Sequence, residues 1–163
     1  MEPVKIKQMS RITKEQMISS GHILIADDDA DFVMLLKAAF DEIHTGNPID
    51  AVGDSVSAQK YLKNAAPYDD RARYPIPGLI VLDLRLPPED GLSLLRWIRR
   101  QPRLDGLPVV LLTGAEFPNL EESAMQSGAT SYFIKPFQFT KLVGLAQHLR
   151  DSWLRHDETV AHH

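Results

Sequence analysis

Several carboxylates stand directly after apolar runs in this sequence. Asp27, Asp28 and Asp29 follow the run HILIA, and Asp83 follows the run LIVL. Carboxylates gathered in a partly buried site repel one another, and each raises the cost of ionising its neighbours unless a cation lies between them. Oxygen ligands of this kind favour Mg²⁺ or Mn²⁺ over zinc. The pattern therefore predicts a divalent cation site, provided that the fold brings these carboxylates together.

A hydroxyl and an ammonium group follow two further apolar runs. Thr113 follows VVLL, and Lys135 follows YFI. Beside a bound cation, the carboxylate of Asp83 can attack phosphorus and form an aspartyl-phosphate. The ammonium and hydroxyl groups would then hold the phosphoryl oxygens, and such positioning and charge stabilisation are most of what phosphoryl transfer requires. These residue types predict phosphoacceptor chemistry at Asp83, assisted by Thr113 and Lys135.

The elements that must position these side chains alternate along the chain. Short apolar runs typical of strands buried on both faces lie at residues 22–26, 49–52, 79–82, 109–112 and 132–134. Segments of helical period separate or follow them, at residues 32–43, 55–63, 92–100, 120–127 and 142–153. This alternation predicts an α/β fold, a doubly wound five-stranded parallel sheet with five helices and flavodoxin-like topology. Ligands of such sheets bind at the carboxyl ends of the strands, where the residues named above are expected.

Some local features lead to narrower expectations. Asp29 is expected to cap the first helix, and Asn119 with Glu122 is expected to form a capping box for the fourth. In the last helix, Val143 and Leu154 lie off the apolar stripe. We therefore expect both of these side chains to be exposed and to suit a self-associating face.

The composition narrows the class of protein. The 163 residues suit one domain, expected over residues 21–155, with an N-terminal extension over 1–20 and a C-terminal tail over 156–163. A net charge of -4 argues against nucleic acid, and the lack of cysteine excludes disulfides and thiolate catalysis. No apolar run approaches the ~20 residues of a membrane span. We expect a cytoplasmic protein with neither a membrane nor a nucleic acid as its partner.

The joint pattern resembles a known family. The residues that match are Asp27-Asp28, Asp83, Thr113, Tyr132 and Lys135-Pro136, and they resemble the invariant set of bacterial response-regulator receiver domains, the CheY-like superfamily. The likeness covers about Gly21 to Trp153. The segment PYDDRARYPIPGLIVLDLRLPPEDG further resembles single-domain regulators that accompany bacterial phytochromes and related sensor kinases. The sequence departs from the family pattern at Asp29, where many members carry asparagine or an apolar residue, and at Gly114 and Ala115 after the threonine.

The resemblance implies how the chain is phosphorylated. A histidine kinase or a phosphotransfer protein would donate the phosphoryl group to Asp83. Asp28, Asp83 and the backbone carbonyl of Arg85 would bind Mg²⁺, with Asp27 acting through water. The domain would catalyse only its own phosphorylation and dephosphorylation, so it would be a signalling domain rather than an enzyme.

The resemblance also implies how the signal leaves the site. Thr113 and Lys135 would hold the phosphoryl oxygens, and Tyr132 would be the aromatic switch that turns inward when the threonine moves. The peptide bond between Lys135 and Pro136 resembles a cis bond that aims the lysine. Because the sequence ends soon after Trp153, we expect output by contact with another protein, or with a second copy in a homodimer through the helix-4, strand-5, helix-5 face.

Two other functions fit parts of the pattern. An aspartate-nucleophile phosphatase would also use Mg²⁺ and a carboxylate after a strand, but its second acid would stand where this chain has Arg85. A receiver-like docking module that is not phosphorylated would be expected to lack an acid, the phosphoacceptor or the lysine. None of these is missing, so the phosphoacceptor interpretation is favoured.

Overall fold

The strands of this computed structural model form one parallel sheet. The structure describes residues 21–154, so the N-terminal extension and the C-terminal tail expected from the sequence lie outside the described residues. The sheet order is β2-β1-β3-β4-β5, and the strands are Ile23–Ala26 (β1), Ile49–Val52 (β2), Leu79–Asp83 (β3), Val109–Thr113 (β4) and Ser131–Ile134 (β5). This order confirms the predicted flavodoxin-like topology.

Helices cover both faces of the sheet. They are Ala30–Glu42 (α1), Ser55–Lys63 (α2), Gly91–Arg99 (α3), Leu120–Ser127 (α4) and Phe139–Trp153 (α5), with a 3₁₀ turn at Pro102–Leu104. One apolar layer lies between the sheet and α1 with α5, and the other lies between the sheet and α2, α3 and α4. Alternate residues of β1 point into different layers, which explains why this strand is apolar throughout. No helix within residues 21–154 has the length and hydropathy needed to cross a bilayer.

The strand registers gather the polar residues at one edge. β3 pairs in parallel with β1 and with β4, and β4 pairs in parallel with β5. Their carboxyl ends therefore lie side by side, and each ends in or is followed by a candidate residue: Asp27, Asp83, Thr113 and Lys135. This edge is where open parallel sheets bind ligands.

The first helix begins as expected. The side chain of Asp29 caps α1, and its Oδ1 accepts hydrogen bonds from the backbone N–H groups of Asp31 and Phe32, both at 3.1 Å. Phe32, Leu36, Ala39 and Phe40 are buried in the layer beneath. The cap fixes the residue at which α1 starts. It therefore determines which side chains of the first turn face the carboxyl edge of the sheet.

Two local expectations are wrong. Asn119 begins α4 with φ 63 and makes no side-chain cap bond. A capping side chain reaches the first N–H groups from an extended backbone, and a left-handed residue points it elsewhere. Leu154 is buried at 4% exposure, and Val143 is partly buried against the α1 and α5 layer. The backbone becomes extended at Leu154, φ -94 and ψ 114, so helical spacing no longer gives its direction.

Candidate functional site

The predicted carboxylates meet at the carboxyl edge of the sheet. Asp27, Asp28 and Asp83 each offer an oxygen, and these atoms all lie within 4.8 Å of one another. Asp27 and Asp83 are buried, at 4% and 6% exposure, and Asp28 is exposed. A cluster of oxygen donors with one face open to water fits Mg²⁺ or Mn²⁺, which bind few carboxylates and keep several waters.

Burial and charge repulsion act on Asp83. The pKa of Asp83 is raised from 3.8 to about 6, and the main cause is burial, followed by the charge of the neighbouring Asp27. The Lys135 ammonium and the backbone N–H of Arg85, which donates to the Asp83 carboxylate, act in the opposite direction. One lysine does not offset the desolvation and the second acid, so the site favours an additional cation.

Lys135 lies against both buried acids. Its Nζ is 2.8 Å from Asp27 Oδ2 and 3.6 Å from Asp83 Oδ1, and its side chain is only 16% exposed. Its backbone N–H donates to the carbonyl of Thr113 at 2.7 Å. The cis bond expected before Pro136 is not observed, since the cis peptides within residues 21–154 are Ala66-Pro67 and Pro87-Pro88. The continued pairing of β5 with β4 already directs the lysine to the acids.

Thr113 and Tyr132 are both bonded to the loop that joins β4 to α4. The Thr113 hydroxyl, in a residue 4% exposed, donates to the carbonyl of Ala115 at 2.9 Å. The Tyr132 hydroxyl donates to Glu116 Oε2 at 3.0 Å. Burial is the main cause that raises the Tyr132 pKa, and the bond to Glu116 raises it further. The two residues predicted to form a switch are thus hydrogen-bonded to neighbouring residues of one loop, Ala115 and Glu116.

Sequence reasoning missed two residues of this region. Glu116 looked like an ordinary surface acid, and only the fold brings it to Tyr132. Gly91 ends the segment PYDDRARYPIPGLIVLDLRLPPEDG, and a Cβ there would collide with the backbone carbonyl of Asp83 and lie 3.0 Å from Leu84 Cα. Its N–H donates to the carbonyl of Leu84 at 2.7 Å. Glycine therefore lets the start of α3 pack directly against the backbone of the phosphoacceptor candidate.

Two known regulatory proteins are similar in sequence to this chain. The probable methanogenesis regulatory protein FilR2 of Methanothrix harundinacea is 31% identical over 132 residues, which are 81% of this chain and 83% of FilR2. The virulence transcriptional regulatory protein PhoP of Salmonella typhimurium is 32% identical over 127 residues, which are 78% of this chain and 50% of PhoP. The chain thus spans about half of the length of PhoP.

Solved structures of similar fold include two response regulators. The phosphorylated cyanobacterial phytochrome response regulator RcpA has a TM-score of 0.75 at 24% identity, over 83% of this chain and 94% of RcpA. The Mn²⁺-bound response regulator Rcp1 has a TM-score of 0.72 at 25% identity, over 82% of this chain and 94% of Rcp1. The family model of the response regulator receiver domain matches residues 23–147. The chain belongs to the response regulator receiver domain family.

Proposed function

We propose that Asp83 accepts a phosphoryl group from a phosphohistidine of a histidine kinase or phosphotransfer protein, in the cytoplasm. The observation that carries this proposal is the position of Asp83, a buried carboxylate at the carboxyl edge of β3 whose neighbours are Asp27, Asp28 and Lys135. Receiver domains of two-component systems are signalling domains, and the family membership supports the same role for this chain.

The transfer step follows from the chemistry of the acceptor. An ionised oxygen of Asp83 attacks phosphorus, the bond between phosphorus and the imidazole nitrogen breaks, and the imidazole leaves with its electron pair. Mg²⁺ or Mn²⁺, held by Asp28, Asp83 and the Arg85 carbonyl with Asp27 acting through water, would supply positive charge to the phosphoryl oxygens. Two observations support this assignment. The three carboxylates suit such a cation, and the structurally similar regulator Rcp1 is known in a Mn²⁺-bound form.

Two side chains stabilise the product. The Lys135 ammonium lies 3.6 Å from Asp83, so a small movement away from Asp27 brings its N–H donors to the phosphoryl oxygens. The Thr113 hydroxyl gives up its bond to the Ala115 carbonyl and donates to the phosphoryl group instead. In both movements, the donor group leaves its present acceptor for a phosphoryl oxygen, which carries more negative charge.

The second movement carries the signal away from Asp83. When Thr113 turns, the Ala115 carbonyl loses its donor, and the loop that also holds Glu116 is free to move. Tyr132, which is already buried at 6% exposure, then leaves Glu116 and its ring moves further inward beside β4. The surface formed by α4, β5 and α5 changes, and a downstream protein or a second copy of the chain reads that change.

A phosphate balance tests this function against its two alternatives. The protein is incubated with Mg²⁺ and a small acyl phosphate, and bound and released phosphate are counted over time. A receiver takes up at most one equivalent and releases it slowly. A phosphatase would turn over many equivalents, but its second acid is replaced by Arg85. A docking module would take up none, which would overturn the proposal.

A further inference from the structure

An aromatic ring lies against the ammonium group of the site. The Nζ of Lys135 lies 4.5 Å from the centroid of the Phe32 ring. Phe32 is buried, at 8% exposure, and Lys135 is only 16% exposed, so water screens this contact little. The same Nζ lies within 3.6 Å of both Asp27 and Asp83. The ammonium group is therefore held by two carboxylates and one aromatic face.

The start of α1 fixes the position of this ring. The backbone N–H of Phe32 donates to Asp29 Oδ1, the oxygen that caps the helix. Asp29 in turn donates its own N–H to Asp27 Oδ1 at 2.9 Å. The ring is thus tied through two short links to a carboxylate of the site itself, and its position follows that of the acids.

An aromatic face holds a cation differently from a carboxylate. It attracts the ammonium through the ring quadrupole and uses none of the three N–H donors of the lysine. Those donors stay available for Asp27, Asp83 and incoming phosphoryl oxygens. An aliphatic side chain of similar size would fill the same space and leave the ammonium without that attraction.

We propose that Phe32 is a positioning residue for phosphoryl transfer, whose ring keeps the Lys135 ammonium beside Asp83. This inference rests on the proposed phosphorylation of Asp83. It goes further by assigning a role to a side chain that forms no hydrogen bond with the reacting groups and that looks, by its type and burial, like part of the core.

Conventional variants give the first measurement. Phe32→Leu should take up phosphate from a small acyl phosphate about 3- to 10-fold more slowly than the parent at saturating Mg²⁺, the range expected for a partly desolvated cation–π contact. Phe32→Tyr keeps the aromatic face and should stay within about twofold of the parent. Phe40→Leu is the matched control, because it truncates a buried ring of the same helix about 12 Å further along. It should lose stability and keep its uptake rate.

Fluorinated phenylalanines at position 32 separate the ring electrostatics from its size. One, two and three ring fluorines weaken the quadrupole in steps with little change of shape, so the logarithm of the uptake rate should fall in steps. In metal-free protein, NMR should show the ε protons of Lys135 shifted upfield by the ring, with the shift lost in Phe32→Leu. A flat rate series or an absent shift would overturn the inference. Failure of the parent to take up phosphate would overturn the proposed function, and the NMR shift would then still decide the contact.

Discussion

The hydroxyl of Tyr132 donates a hydrogen bond to Glu116 at 3.0 Å. Glu116 directly follows Ala115, whose carbonyl accepts the hydroxyl of Thr113. Ala115 and Glu116, which are neighbours in one loop, therefore connect the Thr113 hydroxyl to the Tyr132 ring on β5. In the switch that we propose, the hydrogen bond to Glu116 holds Tyr132 in its present position until Thr113 leaves the loop.

The Tyr132–Glu116 bond predicts a measurable pKa difference. Burial, the hydrogen bond to Glu116 and the charge of Glu116 all raise the pKa of Tyr132. Glu116→Ala should lower that pKa toward the ordinary value, and Glu116→Gln should lower it less, because the amide still accepts the bond. Glu122→Ala is the matched control on α4. The ring carbon resonances of labelled tyrosine report the titration. An unchanged Tyr132 pKa in Glu116→Ala would exclude the hydrogen bond between Tyr132 and Glu116.

Metal-free Asp83 should destabilise the fold at neutral pH. Its folded pKa is about 6 against 3.8 for the free group, so between these values the native state binds more protons than the unfolded state. The free energy of unfolding therefore falls as pH rises through this interval, and the loss is complete above it. In chelator at pH near 7.5, Asp83→Asn should be more stable than the parent by about 1–3 kcal/mol.

Urea denaturation across pH measures this difference. Every other titrating group is shared by the two proteins, so the difference reports the Asp83 charge together with its interactions with Asp27 and Lys135. The gap should close toward pH near 4, and excess Mg²⁺ should stabilise the parent more than the variant, because only the parent keeps the full ligand set. Equal stability of the two proteins in chelator at neutral pH would contradict the account.

The lifetime of the phosphorylated state should depend on Arg85 and Ala115. Both side chains are exposed beside the site. Arginine can cover the phosphoryl oxygens, and alanine cannot orient a water, so hydrolysis should be slow. Arg85→Asn combined with Ala115→Glu should lose its phosphoryl group faster, by a factor of about 10² or more, since that is what a water-positioning group commonly contributes in general acid–base catalysis. Decay is followed at saturating Mg²⁺, with Glu89→Gln as control. An unchanged or slower rate would show that these side chains do not set the lifetime.

A symmetric homodimer through α4, β5 and α5 remains a prediction. The exposure of Val143 and Leu154, from which the sequence predicts this dimer, is wrong, because Leu154 is buried and Val143 is partly buried. Phe117 and Met125 supply exposed apolar surface instead, at 42% and 44% exposure. Both line a groove of about 440 Å³ along α4. Met125→Glu should shift light scattering of the phosphorylated protein toward the monomer. Met34→Glu, on α1 at 64% exposure, should not. A monomer at every concentration, with or without phosphorylation, would contradict the prediction.

Most of the fold follows from apolar patterning. The predicted span of α4, residues 120–127, matches the structure, and β3 and β4 each extend one residue past their apolar runs. Those added residues are Asp83 and Thr113, which are buried although they are polar. A prediction from hydrophobicity ends each strand before such polar residues. It takes no account of the hydrogen-bond and ion-pair partners from other parts of the chain that make their burial possible.

Contacts between distant residues could not be predicted in the same way. Tyr61 of α2 packs against Tyr68 and Tyr74 of the segment that joins α2 to β3, with ring centroids 5.1 to 5.5 Å apart. Glu116 and Tyr132 meet only because β4 and β5 are neighbours. The site acids were predictable for the opposite reason, since their positions at strand ends fix where they lie.

The most direct test of the account is the site of phosphate uptake. The parent and Asp83→Asn are incubated with Mg²⁺ and a small acyl phosphate, and then examined by intact mass and by mapping of the modified peptide. We expect one phosphoryl group on Asp83 in the parent, none in Asp83→Asn, and none in the parent when a chelator removes the metal. Undiminished labelling of Asp83→Asn, or labelling of the parent in chelator, would contradict it.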